Sequence, residues 1–426
     1  MHVLPHRWRI AAAAVASLAL TAVAAPGVAA PRDDPPGRVA ETTFTLDAEV
    51  LDSGEQVTGI TIDAHRLRTI DPASLSTGTF TVRAVGAYPD DVDRGGRPQQ
   101  VFDVERTLTG VELTRSGDIH LELASGFGTP GADTLTYQPV GGRNVLLDLT
   151  YTMVQNAPLE LRNGRDVTIR GFVQGDLVDP EVDAFRAGVS GTGLNYRLFT
   201  PDRRGGGDRA LVVWLHGNGE GGLGGYYDNE PPLRANRGAL GFATPEAQKI
   251  LGGAYVLVPQ VPDTWYNADS AGYQERLRAL VDEIAGRYKV DTDRIHVAGA
   301  SAGGYMATRL VAAYPDDFAS LAVSAPAYYT GGTYRIDAAE IAALEGTPTW
   351  FVHARNDPTV PYAETSVWAH EQLPGSILSL YDDVTWDGVT YPGHWSWIYQ
   401  ARNAPTTPEG LSLWEWTAQQ SLDDQV

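Results

Sequence analysis

Between residues 295 and 314 an apolar run, a serine set among glycines and an amphipathic segment follow one another, and few folds accommodate that succession. The centre reads Gly299-Ala300-Ser301-Ala302-Gly303, the G-x-S-x-G spacing. The spacing has a mechanical basis. A buried strand (Ile295, Val297, Ala298) turns sharply into a helix carrying Met306, Leu310, Val311 and Tyr314, and the serine occupies the strained tip of the turn. Glycines two residues to either side let strand and helix approach closely, and the helix directs its positive end at the reacting centre. The chain holds 46 glycines, so the spacing alone recurs by chance. Its flanks make Ser301 the candidate nucleophile.

The surrounding pattern agrees. From about Leu194 short apolar runs (211–215, 255–258, 295–298, 321–323, 350–352, 377–380) read as strands buried on both faces. Leu277, Leu280, Val281, Ile284 and Tyr288 share one face of a helix expected over 273–288. Such alternation predicts an α/β fold, a mainly parallel, doubly wound sheet with its active groups at the carboxyl ends of the strands.

The first half differs. From Glu41 to about Gly188 the period is mostly two, as in Ile119, Leu121 and Leu123, and Asn163-Gly164 signals a hairpin. This predicts an antiparallel β-sandwich over 41–188, immunoglobulin-like in architecture although no Cys–Trp–Cys pattern is present. His65 and His120 stand alone and read as surface or packed histidines. With no catalytic constellation in it, this half reads as a scaffold or interaction module. The division is expected between Asp183 and Leu194, leaving 190–426 to hold the whole catalytic machinery.

The N-terminus is expected to direct export. Arg7 and Arg9 precede an apolar, alanine-rich run, with cleavage expected after Ala24, Ala29 or Ala30, a signal peptide over 1–30 and a linker over 31–40. No adjacent arginine pair marks a twin-arginine signal, and a secreted protein without a membrane partner is the expectation. The absence of cysteine removes disulfides, thiol nucleophiles and cysteine-bound metals. The net charge of −21 argues against nucleic acid or anionic membrane as partners. Composition says nothing of oligomeric state.

A serine hydroxyl needs a base, and the base needs an acid that fixes its tautomer and stabilises its charged form. In hydrolases of this sheet type the chain order is serine, acid, histidine. Asp357, directly after the run 350–352, is the best acid; Asp382, Asp383 and Asp387 read as solvated loop charges. Of the two histidines beyond it, His370 lies in a helical stretch and His394 on a turn in Tyr391-Pro-Gly-His-Trp-Ser-Trp397, which makes His394 the candidate base. The run 211–215 leads into His216-Gly-Asn-Gly-Glu-Gly-Gly222, where main-chain N–H groups can converge on an oxyanion. The expected donors are the N–H groups of Ala302 and of a residue near Asn218, with His216 a structural turn residue. No Gly-Lys-Ser/Thr follows the loop, which disfavours phosphate binding.

With these pieces in place, residues 190–426 resemble α/β-hydrolases of the bacterial "predicted peptidase"/esterase group. The resemblance rests on 194–201, 211–222, Val258-Pro-Gln-Val-Pro-Asp-Thr-Trp265, the nucleophile turn, the Asp357 loop and 393–397. Similar turns occur in feruloyl and acetylxylan esterases and in polyhydroxyalkanoate depolymerases. Ala300 and Ala302 depart from the group's commoner pattern, and 382–391 reads as a loop insertion. The resemblance implies a secreted enzyme with an N-terminal immunoglobulin-like domain, no cofactor and no metal. It also implies that Trp265 lies at the substrate mouth, where Tyr226, Tyr227, Trp395 and Trp397 are candidates to join it. The resulting expectation is a serine carboxylesterase acting through an acyl-enzyme on an ester substrate, with polymeric esters among the candidates. A peptidase or polyester depolymerase of the same fold, and a non-catalytic binding protein, are the alternatives.

Overall fold

The computed structural model describes residues 38–39 and 41–424, apart from 66, 68, 139, 203–206, 223–225 and 331–332. The expected signal peptide over 1–30 lies outside the described residues. Among the described residues no helix is long and apolar enough to cross a membrane.

The second half is built on an eight-stranded sheet. In spatial order its strands are Phe185–Val189, Asn195–Phe199, Ala254–Gln260, Arg209–Leu215, Val290–Ala300, Ser320–Ser324, Thr349–Ala354 and Ile377–Tyr381. Asn195–Phe199 is antiparallel to both neighbours and the remaining pairs are parallel. All six expected apolar runs are strands of this sheet, and the expected helix forms over Tyr273–Arg287. The unbroken apolar character has a direct cause. Leu211, Val213 and Leu215 pack on one face with Leu277 and Leu280 of that helix and Met306 and Leu310 of the helix Ala302–Ala313. Val212 and Trp214 pack on the other face with Leu240, Phe242 and Trp414. With both faces covered, alternation has nothing polar to alternate with.

The first half is all β. A five-stranded sheet (Phe172–Val178, Thr42–Leu51, Gly54–Ile62, Ile119–Leu123, Leu108–Leu113) faces a three-stranded one (Asp148–Gln155, Phe80–Ala87, Gln100–Arg106). Phe44, Leu46, Ile60 and Leu121 meet Phe80, Val82, Tyr151 and Met153 in one core between them. The Asn163-Gly164 hairpin forms, with Leu159 opposite Val167 and Gly164 at φ +75°. A small separate hairpin pairs Leu135–Gln138 with Arg143–Leu146.

The expected extent of the sandwich, 41–188, needs correction. Phe185–Val189, placed ahead of the division at 190, is the edge strand of the large sheet, because its register against Asn195–Phe199 continues the second half's pairing. The halves also share a buried boundary. Val50 and Val182 pack in the same cluster as Trp214 and Leu240. Asp52 receives both Nε and Nη2 of Arg402 at 2.8 and 3.0 Å, Glu181 pairs with Arg237, and buried Glu55 pairs with Arg234.

Candidate functional site

The strand Val290–Ala300 delivers Ser301 to the carboxyl edge of the sheet at φ +54°, ψ −119°. A non-glycine residue there is strained, and the surroundings hold it: its N–H donates to the Ser324 carbonyl at 2.9 Å, and its own carbonyl accepts from Tyr305 and Ala327, each at 3.0 Å. The glycine at 303 is sterically required, since a Cβ there would stand 2.0 Å from the Leu215 carbonyl oxygen. The helix Ala302–Ala313 starts at the next residue, so the Ala302 N–H has no acceptor within that helix.

His394 lies on a short turn, Gly393–Trp395, ahead of the helix Trp397–Ala401. Its Nε2 is 3.0 Å from Ser301 Oγ and its Nδ1 is 2.7 Å from Asp357 Oδ2. Asp357 follows the strand Thr349–Ala354, its side chain fully buried. Its two oxygens divide their work: Oδ1 accepts the N–H groups of Thr359 and Val360, and Oδ2 accepts from two imidazoles. Burial opposes the charge on Asp357, but hydrogen bonds from His353 and His394 outweigh it and hold the carboxyl well below its usual range. With Nδ1 donating to this carboxylate, the Nε2 lone pair of His394 faces the serine hydroxyl.

The second imidazole is His353, to which the sequence reading gave no role. It is fully buried, with Nε2 3.0 Å from Asp357 Oδ2 and Nδ1 2.8 Å from Ser366 Oγ. Burial lowers its basicity and keeps it neutral, a state in which one nitrogen donates to Asp357 and the other accepts from Ser366. The signal was present in the spacing, since residues 353 and 357 leave one strand end and enter one loop. His370 bonds Ser376 Oγ instead, and Asp382 is an exposed partner of Arg355.

A cleft of about 670 Å³ opens over Ser301 and His394. The expected oxyanion loop lines it through Gly217, Asn218 and Gly219. Asn218 begins a single 3-10 turn, Asn218–Glu220, so its N–H also lacks a partner within its own element. His216 is buried, its basicity pushed down to about 3 by that burial; Nδ1 meets the Gly217 carbonyl and Nε2 accepts the Val261 N–H.

Trp395 and Trp397 line the cleft. Trp265 does not. It is fully buried, and its Nε1 donates to the His216 carbonyl at 2.9 Å, so it props the loop from beneath while Tyr266 takes the cleft position. Tyr226 and Tyr227 also lie outside the lining; their hydroxyls serve the main chain of Leu146, Asn195 and Gln260.

The first half, expected to be a scaffold or interaction module with the site held wholly by 190–426, supplies the opposite wall. Phe127, Asp133, Tyr137 and Asn144 line the cleft. Phe127, half exposed, reaches Tyr391 at 5.2 Å and Trp395 at 5.7 Å between ring centroids. Tyr391 ends the expected loop insertion, which is a hairpin, Val384–Trp386 with Val389–Tyr391, turning at Asp387-Gly388.

Away from the cleft, Asp63, His65 and Asp118 bring potential metal-ligand atoms within 4.8 Å of one another. They are largely exposed, and both carboxylates already accept main-chain N–H groups.

A solved structure titled as a thermostable esterase superposes with a TM-score of 0.68 at 24% identity, covering 89% of this chain and 99% of that one. With the strand order and the strained serine turn, that settles the architecture. The chain has the α/β-hydrolase fold. A sequence match to "Putative esterase NocK" of Nocardia uniformis subsp. tsuyamanensis is 30% identical over 154 residues. It spans 36% of this chain and 42% of that relative. The model of the prolyl oligopeptidase family matches residues 272–346. That segment of the α/β-hydrolase half contains Ser301 and ends before Asp357 and His394.

Proposed function

We propose that the protein is a secreted serine hydrolase that cleaves carboxyl esters through an acyl-enzyme, its first half an immunoglobulin-like sandwich. The observation that carries this reading is the unbroken chain from Ser301 Oγ to His394 Nε2 and from His394 Nδ1 to Asp357 Oδ2, at 3.0 and 2.7 Å. Ser301 attacks the ester carbonyl while His394 takes its proton; Asp357 stabilises the imidazolium. The N–H groups of Ala302 and Asn218 receive the oxyanion. His394 then protonates the departing alcohol, and a water repeats the sequence to free the acid and restore the serine. An intact set of this kind argues against a binding protein without turnover.

Ester cleavage is favoured by the names of the matched proteins, a thermostable esterase and "Putative esterase NocK". The prolyl oligopeptidase match keeps a peptidase as second reading. For the substrate, Phe127, Tyr137, Tyr266, Trp395 and Trp397 make the cleft aromatic on both walls, a surface for a bulky or aromatic group. An exported enzyme would meet such groups on polymers. The test is a panel of p-nitrophenyl, feruloyl and polymeric esters with chromogenic peptides, run with fluorophosphonate labelling. Ester turnover with labelling lost in Ser301→Ala supports the reading; turnover of peptides alone replaces it with the second.

A further inference from the structure

The loop expected to receive the oxyanion, residues 217–222, is held from across the boundary between the halves. Asn144, on the hairpin strand Arg143–Leu146, donates from Nδ2 to Glu220 Oε1 at 3.0 Å. The fit is close, because a Cβ on Gly219 would lie 3.0 Å from that same Nδ2 and 3.8 Å from the Tyr137 ring. Glu220 is itself buried beneath the loop, its carboxylate near Gly217, whose own Cβ position is 2.9 Å from Glu220 Oε2 and 3.8 Å from Ser301 Cβ. Arg143, also buried, makes a second set of bonds, donating from Nε to the Gly222 carbonyl at 3.1 Å and from Nη2 to the Asp263 carbonyl at 2.6 Å. The residue after Asp263 completes the clamp: Thr264 Oγ1 donates to Asn218 Oδ1 at 2.7 Å.

We propose that the hairpin 135–146 of the first half positions the oxyanion loop of the second, Asn144 acting through Glu220 and Arg143 through the carbonyls of Gly222 and Asp263. This rests on the serine-hydrolase reading above. Neither side chain needs to touch substrate. Each fixes main chain whose N–H direction decides how well a developing oxyanion is received, and such donors work only when aimed in advance. Burial pushes the Glu220 carboxyl up to about 7, opposed by the Asn144 amide, the main-chain N–H groups of Glu220 and Gly217, and the Arg143 charge. Asn144 is therefore one of the groups that make a buried carboxyl tolerable at this point in the loop.

A double-mutant cycle on the full chain tests this, with p-nitrophenyl acetate, too small to bridge the cleft, as substrate. Rates are normalised to sites titrated with a fluorophosphonate, so that only assembled enzyme counts. Outright loss of one oxyanion donor costs about 10²–10³ in kcat, and a misaimed donor less, so Asn144→Ala is expected to lower kcat by roughly tenfold with KM within about twofold. Glu220→Ala should cost at least as much, and the double variant no more than the worse single, since both break one connection. Glu220→Gln, which still offers Asn144 an acceptor, should retain most activity. Asn144→Ser, too short to reach Glu220, repeats the test if the alanine variant folds poorly. Unchanged kcat in both Asn144 variants, or losses that multiply in the double variant, overturn the proposal. A wild-type chain that hydrolyses no ester overturns instead the reading on which it rests.

Discussion

Three side chains make the sharpest demand on experiment. Ser301→Ala and His394→Ala should each lower ester turnover by roughly 10⁶-fold, and the double variant little further, because the groups act as a unit. Asp357→Asn should cost about 10⁴-fold, whereas His370→Ala, bonded to Ser376, should leave turnover intact. His353 gives a finer test. It shares Oδ2 of Asp357 with His394, so His353→Leu frees that carboxylate to turn and should lower kcat by about tenfold with little change in KM. The sequence made Ser301, Asp357 and His394 legible because chain order and strand-end placement are local properties. His353 stands four residues before Asp357, but that spacing alone does not separate a packed histidine from one that shares the acid. Trp265 was misplaced for a related reason: an aromatic next to a site loop can face the cleft or the core, and only packing decides.

At the level of elements, strand-to-helix turns were readable wherever both faces of a strand are covered. The Ser301 turn is one of them. Gly303→Ala would drive a methyl into the Leu215 carbonyl, 2.0 Å away in the native geometry, so it should lower Tm by many degrees or prevent soluble expression. The hairpin at Asp387-Gly388 carries the Asp-Gly pair that favours positive φ, and both residues adopt it, at +47° and +77°. Its flanking runs of three residues were too short to betray a two-residue period. The part played by the hairpin 135–146 had no local signal at all. Arg143 and Asn144 acquire meaning only when residues 76 and more positions later in the chain fold against them.

For the whole molecule, the boundary between the halves sets the expectations. The segment 185–426 alone would leave the Arg402, Arg237 and Arg234 charges without the partners Asp52, Glu181 and Glu55, and would lose one wall of the cleft. Expressed alone it should be less soluble and turn over aromatic esters more slowly than the full chain, as sedimentation and steady-state kinetics would register. Acidity acts at the same boundary. Glu220 holds its proton in the folded chain up to about 7, whereas the unfolded chain releases it near 4.5. Its contribution to stability is therefore full below about 4.5, declines as pH rises to about 7, and is flat above. Glu220→Gln removes that slope, so its Tm relative to wild type should climb between pH 5 and pH 8, equivalent to at most ~3 kcal/mol. A constant difference across that range would show that the carboxyl ionises without penalty.

The cleft draws its lining from Ser53 near one end of the described chain to Trp397 near the other. Contacts between residues so distant in sequence are among the slowest to form. Hydrolysis should accordingly be the last property to return on refolding, lagging the circular-dichroism signal of sheet and helix. On the serine-hydrolase reading the same lag applies to a nascent chain: a polypeptide that stops short of His394 should hydrolyse no ester, however much of the sheet it has formed.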